Sequence, residues 1–194
     1  MLSVVGVTSL PYFCGIFLAD FIVALMPNAL FTICLLGMNG FLMPASQVFI
    51  WTVIFMFFSG SMINLAYLIH HMFDDPETSI KYTGLMTLLT TIIIPALLTT
   101  IVAAIFKFEN GYKQSLYFWF FLDPVLAFVA TTFNFCTKSF ADGEIQIKMF
   151  GGDSINPLFT ILALVIQIIL FFSVNVSIDN WLRNRWRKKG GKVG

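Results

Sequence analysis

The sequence predicts an all-α integral membrane protein with a single transmembrane helical domain over residues 1–178. Three observations predict this class: 58% of the 194 residues are apolar, only 11% are charged, and five stretches are long and apolar enough to form membrane helices. A soluble domain carries about 25% charged residues, so this chain cannot cover a water-facing surface. The composition therefore excludes soluble, disordered and nucleic-acid-binding proteins.

Short polar joints separate the five stretches, and each stretch is longer than the roughly 20 apolar residues that a transmembrane helix needs. The first carries Asp20 near its middle and Pro27, where we expect a kink because proline removes a backbone donor. We expect Pro95 to break the third stretch in the same way. The five stretches are 10–38, 41–69, 82–106, 116–137 and 155–178.

The fourth stretch has Asp123-Pro124 near its centre. Its eleven Leu, Phe and Val residues favour insertion by about 5 kcal/mol, whereas the aspartate opposes it by about 3 kcal/mol and the proline adds to that cost. Because this balance is marginal, we favour a re-entrant helical hairpin that bends at Asp123 and Pro124. The favoured fold has four transmembrane helices plus this hairpin, with both termini on one side; five spans are the alternative.

Residues 179–194 form a basic tail with six Lys or Arg residues against Asp179 alone, a net charge of +5. The positive-inside rule places such a tail on the cytoplasmic side, or on the matrix side of an organelle, and makes it a topology anchor. The membrane itself is not identified; the mitochondrial inner membrane is one alternative. We expect the tail to be disordered and to contact lipid. Its anchor residues are Arg183, Arg185, Arg187, Lys188 and Lys189.

Three motifs resemble the membrane half of A-subfamily ABC exporters, which are ABC-2 type exporters. The first is Gly6-Val7-Thr8-Ser9-Leu10-Pro11-Tyr12 followed by Phe17-Leu18-Ala19-Asp20. The second starts at Tyr67-Leu68-Ile69 and continues through Phe73-Asp74-Asp75-Pro76-Glu77-Thr78. The third is Asn156-Pro157-Leu158, which opens the last span before the basic exit. Their order and spacing agree with that family across nearly the whole chain.

The resemblance implies an ABC-2 exporter-like fold in which the loop 70–81 is cytoplasmic and 116–137 is an outward-facing re-entrant hairpin. It also implies a loop contact with a nucleotide-binding domain, through Asp74, Asp75, Pro76 and Glu77. That family moves lipids or other amphipathic molecules with ATP hydrolysed on a separate domain. The 194 residues contain no phosphate loop of the form G-x-x-x-x-G-K-[ST], and the family's preceding helix and exoplasmic domain are missing from them.

We therefore expect a membrane subunit without an ATPase of its own, whose partners are membrane lipid, other membrane subunits and a separate nucleotide-binding protein. The alternative is a degenerate, transporter-like accessory subunit of a large membrane complex such as a mitochondrial respiratory assembly. Nucleic acid is not an expected partner.

Asp20 is a candidate intramembrane polar site, because ionisable residues inside a membrane are functional candidates by default. The alternatives are a position near the membrane interface and a hydrogen bond to a nearby hydroxyl. For the acidic loop the alternative is ordinary turn and cap chemistry. Gln167 and Asn175 indicate hydrogen bonds between helices. No catalytic set can be assembled, and adjacent His70 and His71 point to different helix faces. We therefore expect no enzyme, no metal and no cofactor.

Overall fold

The computed structural model describes residues 9–37, 45–73, 75–105, 117–141 and 157–190, and its regular elements there are all helices. They are, in chain order, α1 (Ser9–Gly37), α2 (Ala45–His70), α3 (Pro76–Leu88), a π-helical segment (Leu89–Ile93), α4 (Ile94–Ile105), a short helix over 117–122, α5 (Pro124–Ala141) and α6 (Pro157–Gly190).

Four helical stretches in the described part of the chain are long and apolar enough to cross a membrane. They are Leu10–Gly37, Val48–His70, Glu77–Val102 and Pro157–Leu182. The prediction of an all-helical, multi-pass membrane protein with four spanning-length helices is therefore confirmed.

Helix α2 lies at the centre of the bundle and packs against α1, α3, α5 and α6. It runs antiparallel to α1, because Phe13 near the start of α1 contacts His71, whereas Phe31 near its end contacts Trp51. Helix α6 also packs against α1 and α5, and it runs parallel to α2. The start of α1, the ends of α2 and α6 and the start of α3 therefore share one end of the bundle, which we call the tail end.

Close approach of three helices depends on Gly60 in α2. A Cβ atom at this position would lie 3.1 Å from Cδ1 of Ile168 in α6 and 3.3 Å from a ring carbon of Phe21 in α1. Such distances are tighter than ordinary side-chain contacts, so the missing side chain lets α1 and α6 meet α2 at the same level.

The third spanning stretch contains a π-helical turn just before Pro95. The Ile94 N–H donates to the Leu89 carbonyl, five residues back. Proline has no N–H and its ring crowds the carbonyl four residues earlier, so widening the preceding turn relieves the conflict. The expected break at Pro95 is therefore a local change of helix type. Pro27, in contrast, lies inside α1, which continues through it.

The structure corrects the expected hairpin bend at Asp123 and Pro124. Backbone bonds span the one-residue interruption, from Asp123 N–H to the Trp119 carbonyl at 2.7 Å and from Ala127 N–H to the Asp123 carbonyl at 3.1 Å. Residues before and after Asp123 also follow α6 in a single direction. The Phe120 carbonyl accepts a hydrogen bond from Gln167 of α6, and Thr131, farther along the chain, bonds Thr160, which is nearer the start of α6. The chain does not reverse here.

The physical reason is that Asp123-Pro124 starts a helix. The Asp123 carboxylate accepts hydrogen bonds from the Val125 and Leu126 N–H groups at 2.9 and 3.4 Å, which is N-cap chemistry. Pro124 occupies the first helical position, where its missing N–H is not needed.

The structure also differs from the expected disordered tail, because α6 continues to Gly190. No Pro or Gly interrupts this helix between Pro157 and Gly190, and basic residues near a helix C-terminus are favoured by the helix dipole. Residues 191–194 lie outside the described residues, as do the side chains of five anchor residues, whose orienting role stays a prediction. These are Arg183, Arg185, Arg187, Lys188 and Lys189.

Candidate functional site: polar contacts within the helical bundle

Four polar side chains lie between α2 and α6, and each is at most 1% exposed: Ser61, Asn64, Gln167 and Asn175. The Ser61 hydroxyl donates to Oε1 of Gln167 at 3.1 Å, and Nε2 of Gln167 donates to the Phe120 carbonyl at 3.1 Å. Gln167 thus joins three segments of the chain. The prediction that Gln167 bonds between helices is confirmed.

The asparagine pair lies closer to the tail end. Nδ2 of Asn175 donates to the Asn64 carbonyl at 2.9 Å, and Nδ2 of Asn64 donates to the Gly60 carbonyl at 3.1 Å within α2. Oδ1 of each asparagine is buried and has no hydrogen-bond partner among the described residues. The interhelical bond predicted for Asn175 is confirmed, and its partner is a backbone group of α2.

Helix α5 is attached to its neighbours by hydroxyl contacts. The hydroxyls of Thr131 and Thr160 lie 2.7 Å apart, and Nε1 of Trp51 donates to the Thr132 hydroxyl at 3.4 Å. The rings of Phe58 and Phe128 stack with centroids 4.3 Å apart. These contacts involve satisfied hydroxyls and aromatic packing, so they serve the fold.

Asp123 is 3% exposed, and its Oδ1 caps α5. Oδ2 is buried and has no hydrogen-bond partner in the described part of the chain. The sequence had indicated this residue as part of a bend. Its contacts instead make it the start of a helix that packs on α2 and α6.

Asp20 lies on the exposed surface of α1 and accepts a hydrogen bond from the Tyr67 hydroxyl of α2. Next to this pair, the Phe13 ring contacts both Tyr67 and His71. The Asp20 carboxylate is therefore held at the α1–α2 interface beside Tyr67, in the half of α1 nearer the tail end, with one side exposed.

The acidic loop is also at the tail end, and Asp75 has a clear structural role there. Its carboxylate accepts from the Thr78 N–H at 3.1 Å and from the Thr78 hydroxyl at 2.9 Å. These hydrogen bonds hold the pKa of Asp75 below its ordinary value. Pro76 takes the first helical position of α3, Glu77 is exposed in its first turn, and Asp74 lies outside the described residues.

The two histidines have separate surroundings. Nδ1 of His70 bonds the Ser79 hydroxyl, whereas His71 is half-buried beside Phe13. Burial lowers the pKa of His71, and the nearby Asp179 carboxylate opposes that effect. No group of three His, Cys, Asp or Glu side chains that could hold a metal ion occurs among the residues that the structure describes.

A groove of about 350 Å³ lies between α1 and α2. Apolar residues such as Leu25, Ala29 and Met56 line it, together with Asn28 and Thr32. The polar groups are already engaged, since Asn28 bonds Ser59 and the Thr32 hydroxyl lies 3.0 Å from that of Thr52. The groove therefore offers packing surface.

The predicted loop residues Asp75, Pro76 and Glu77 lie at the tail end, and Asp20 lies in the same half of α1, beside Tyr67. Asp123 is separate from them, at the start of α5. Sequence reasoning missed Ser61 and Asn64, and it named Tyr67 only as the start of the second motif. Ser61 and Asn64 lie three residues apart in an uncharged stretch, a spacing that places both on one helix face and could have indicated them. No family model, curated protein or solved structure matches this chain.

Proposed function

We propose that this chain is a non-enzymatic membrane subunit of a larger assembly, resembling part of an A-type ABC exporter of lipids or amphipathic molecules and working without an ATPase of its own. The observation that carries the proposal is the hydrogen bond between Tyr67 and Asp20. It joins the first two motifs of the resemblance, which are 47 residues apart in sequence, at one point of the bundle.

The placement of charge supports the same proposal. The exposed Glu77 and the basic end of α6 belong to the tail end, where the positive-inside rule places the cytoplasm or matrix. A nucleotide-binding partner on that side would meet both. Because Asp75 is engaged as a helix cap, Glu77 is the acidic loop residue that we propose for this contact.

Because residues 120–132 run in one direction along α6, the proposed exporter-like fold does not include a turn at Asp123 and Pro124. Residues 106–116 lie outside the described part of the chain.

The first test is extraction of the full chain in mild detergent, native separation, and mass identification of every protein that migrates with it. A transporter-sized band containing a phosphate-loop protein is the expected result. Migration with a megadalton assembly of unrelated subunits would overturn the exporter and support the accessory-subunit alternative. Migration of the chain alone would overturn both.

The second test asks where the nucleotide-binding partner docks. In a chain whose three cysteines are replaced by alanine, Glu77→Cys is expected to crosslink to that partner. Gly37→Cys, at the other end of α1, is the matched control and is expected not to do so. Equal crosslinking from both positions would contradict docking at the tail end.

A further inference from the structure

Asp20 lies inside the membrane-spanning part of α1. Phe13, seven residues earlier, contacts His71, the residue that follows the end of the second span. At 1.5 Å per residue, Asp20 is about 10 Å farther into the spanning region. An aspartate side chain has only one methylene, so it cannot extend over that distance to the level of Phe13 and His71.

The position of Asp20 around α1 is at the border of two faces. On one side, Phe17 contacts Phe172 of α6 and Asn28 bonds Ser59 of α2, so this side is packed. On the other side, Val23 and Leu30 are 67% and 65% exposed, and Ala19 is exposed beside them. We call Ala19, Val23 and Leu30 the open face.

The described neighbours of Asp20 compensate the negative charge of its carboxylate only in part. Tyr67 is its one hydrogen-bond partner among the described residues, and residues 10–69 contain no Lys or Arg. Intramembrane carboxylates usually pair with another polar group or face water. Among the side chains that the structure describes, no Lys or Arg pairs with Asp20, so a cation that approaches over the open face would compensate its charge.

We propose that Asp20 and the open face of α1 dock against a transmembrane helix of a different protein chain that carries a Lys or Arg at the depth of Asp20. The proposal rests on the proposed function for the existence of an assembly, and it names the contact. A second copy fits less well. Lys81 is the one Lys or Arg whose side chain the structure describes. It comes two residues after Ser79, which bonds His70, so in a second copy it would lie only about 3 Å from the tail end.

The test compares four full-length chains by native separation and by the amount of each partner that co-purifies: wild type, Asp20→Glu, Asp20→Asn and Tyr67→Phe. The wild type, Asp20→Glu and Tyr67→Phe are expected to retain the partner, because the charge remains. Asp20→Asn, which matches a protonated carboxyl in shape, is expected to lose it at least tenfold. Equal retention by Asp20→Asn, or an equal loss in Tyr67→Phe, would overturn the proposal.

A second measurement leaves Asp20 in place and so does not depend on how its variants fold. A photo-crosslinking amino acid at Val23 is expected to capture a transmembrane peptide with a Lys or Arg within one turn of the crosslink. A second copy, lipid alone, or a peptide without a basic residue would overturn the proposal. Exchanging the two charges, with Asp20→Lys and the captured basic residue changed to Asp, is expected to restore co-purification.

The two failures are distinguishable. If wild-type chain migrates alone, the proposed function fails. If wild type and Asp20→Asn assemble equally, the assembly stands and only the contact at Asp20 fails.

Discussion

Replacing Gln167 with leucine tests whether buried polar contacts hold the bundle together. Gln167 receives a hydrogen bond from Ser61 of α2 and donates one to the Phe120 carbonyl, and it is 1% exposed. Leucine has a similar volume and cannot make either bond. The substitution therefore removes the polar link among α2, α6 and the helix over 117–122 without creating a large cavity.

The expected loss follows from the two bonds and from the groups that they leave behind. Hydrogen bonds between membrane helices average about 0.6 kcal/mol, so two contribute about 1.2 kcal/mol. The substitution also takes the Gln167 Nε2 donor away from the Phe120 carbonyl, and the loss of a donor to a buried polar group costs about 1–3 kcal/mol. The Ser61 hydroxyl can rotate to a carbonyl of its own helix. We expect Gln167→Leu to lower the free energy of unfolding by about 2–4 kcal/mol.

The assay is reversible unfolding in mixed micelles by titration with a denaturing detergent. Ser173→Ala on α6 is the matched control, because the Ser173 hydroxyl is exposed and donates only to the Ile169 carbonyl of its own helix. We expect the control to change stability by less than about 0.5 kcal/mol. A loss for Gln167→Leu no larger than that of the control would refute the reasoning.

Three further predictions concern separate features of the bundle. Gly60→Val places a branched side chain within about 3 Å of Ile168 and Phe21 and is expected to lower the free energy of unfolding by about 1–3 kcal/mol. The control is Gly15→Val, because a Cβ atom at position 15 meets nothing within 4 Å. Equal losses of stability in the two variants would contradict the close packing at Gly60. Asp75→Ala removes the cap of α3, so hydrogen exchange of the Thr78 amide is expected to accelerate, and an unaffected amide would contradict the cap. Because the folded pKa of Asp75 is lowered, the contribution of the cap to stability is complete above the ordinary pKa of Asp75 and is lost as the pH falls through its folded pKa. The pKa of His71 is also lowered, chiefly by burial, so the contribution of His71 to stability is complete above its ordinary pKa of 6.5 and is lost as the pH falls toward its folded pKa. In unfolding titrations between pH 7.5 and 5.5, His71→Phe is expected to flatten the dependence of stability on pH. An unchanged dependence would assign it to another group.

The spanning helices were predictable because hydrophobic length is read directly from the sequence. The stretch 10–38 corresponds to α1 (Ser9–Gly37), and 41–69 overlaps α2 (Ala45–His70). The third helix begins at Pro76, six residues before the predicted stretch, because its first turns are polar. Hydropathy does not register that start, whereas the Asp75 cap and Pro76 at the first helical position produce it.

Contacts between distant residues were not predictable in the same way. Asp123-Pro124 is compatible with a bend and with a helix start, and the choice depends on the neighbours of residues 120–132. An insertion energy summed over one segment omits those neighbours, so it could not reject the bend. Likewise, the partner of Asp20 is Tyr67, 47 residues away, and only the packing of α1 on α2 brings the two together.

The α1–α2 interface itself shows why the charge of Asp20 needs a separate explanation. Elsewhere along this interface, neutral pairs connect the same two helices: Asn28 with Ser59, and Thr32 with Thr52. A carboxylate costs about 2.5–3.5 kcal/mol to insert, yet the hydrogen bond to Tyr67 could be accepted equally well by an uncharged amide. Packing among the described residues therefore accounts for a polar residue at position 20 but not for a charged one. The charge has a use on the open face of α1, where a cation of another chain can reach it.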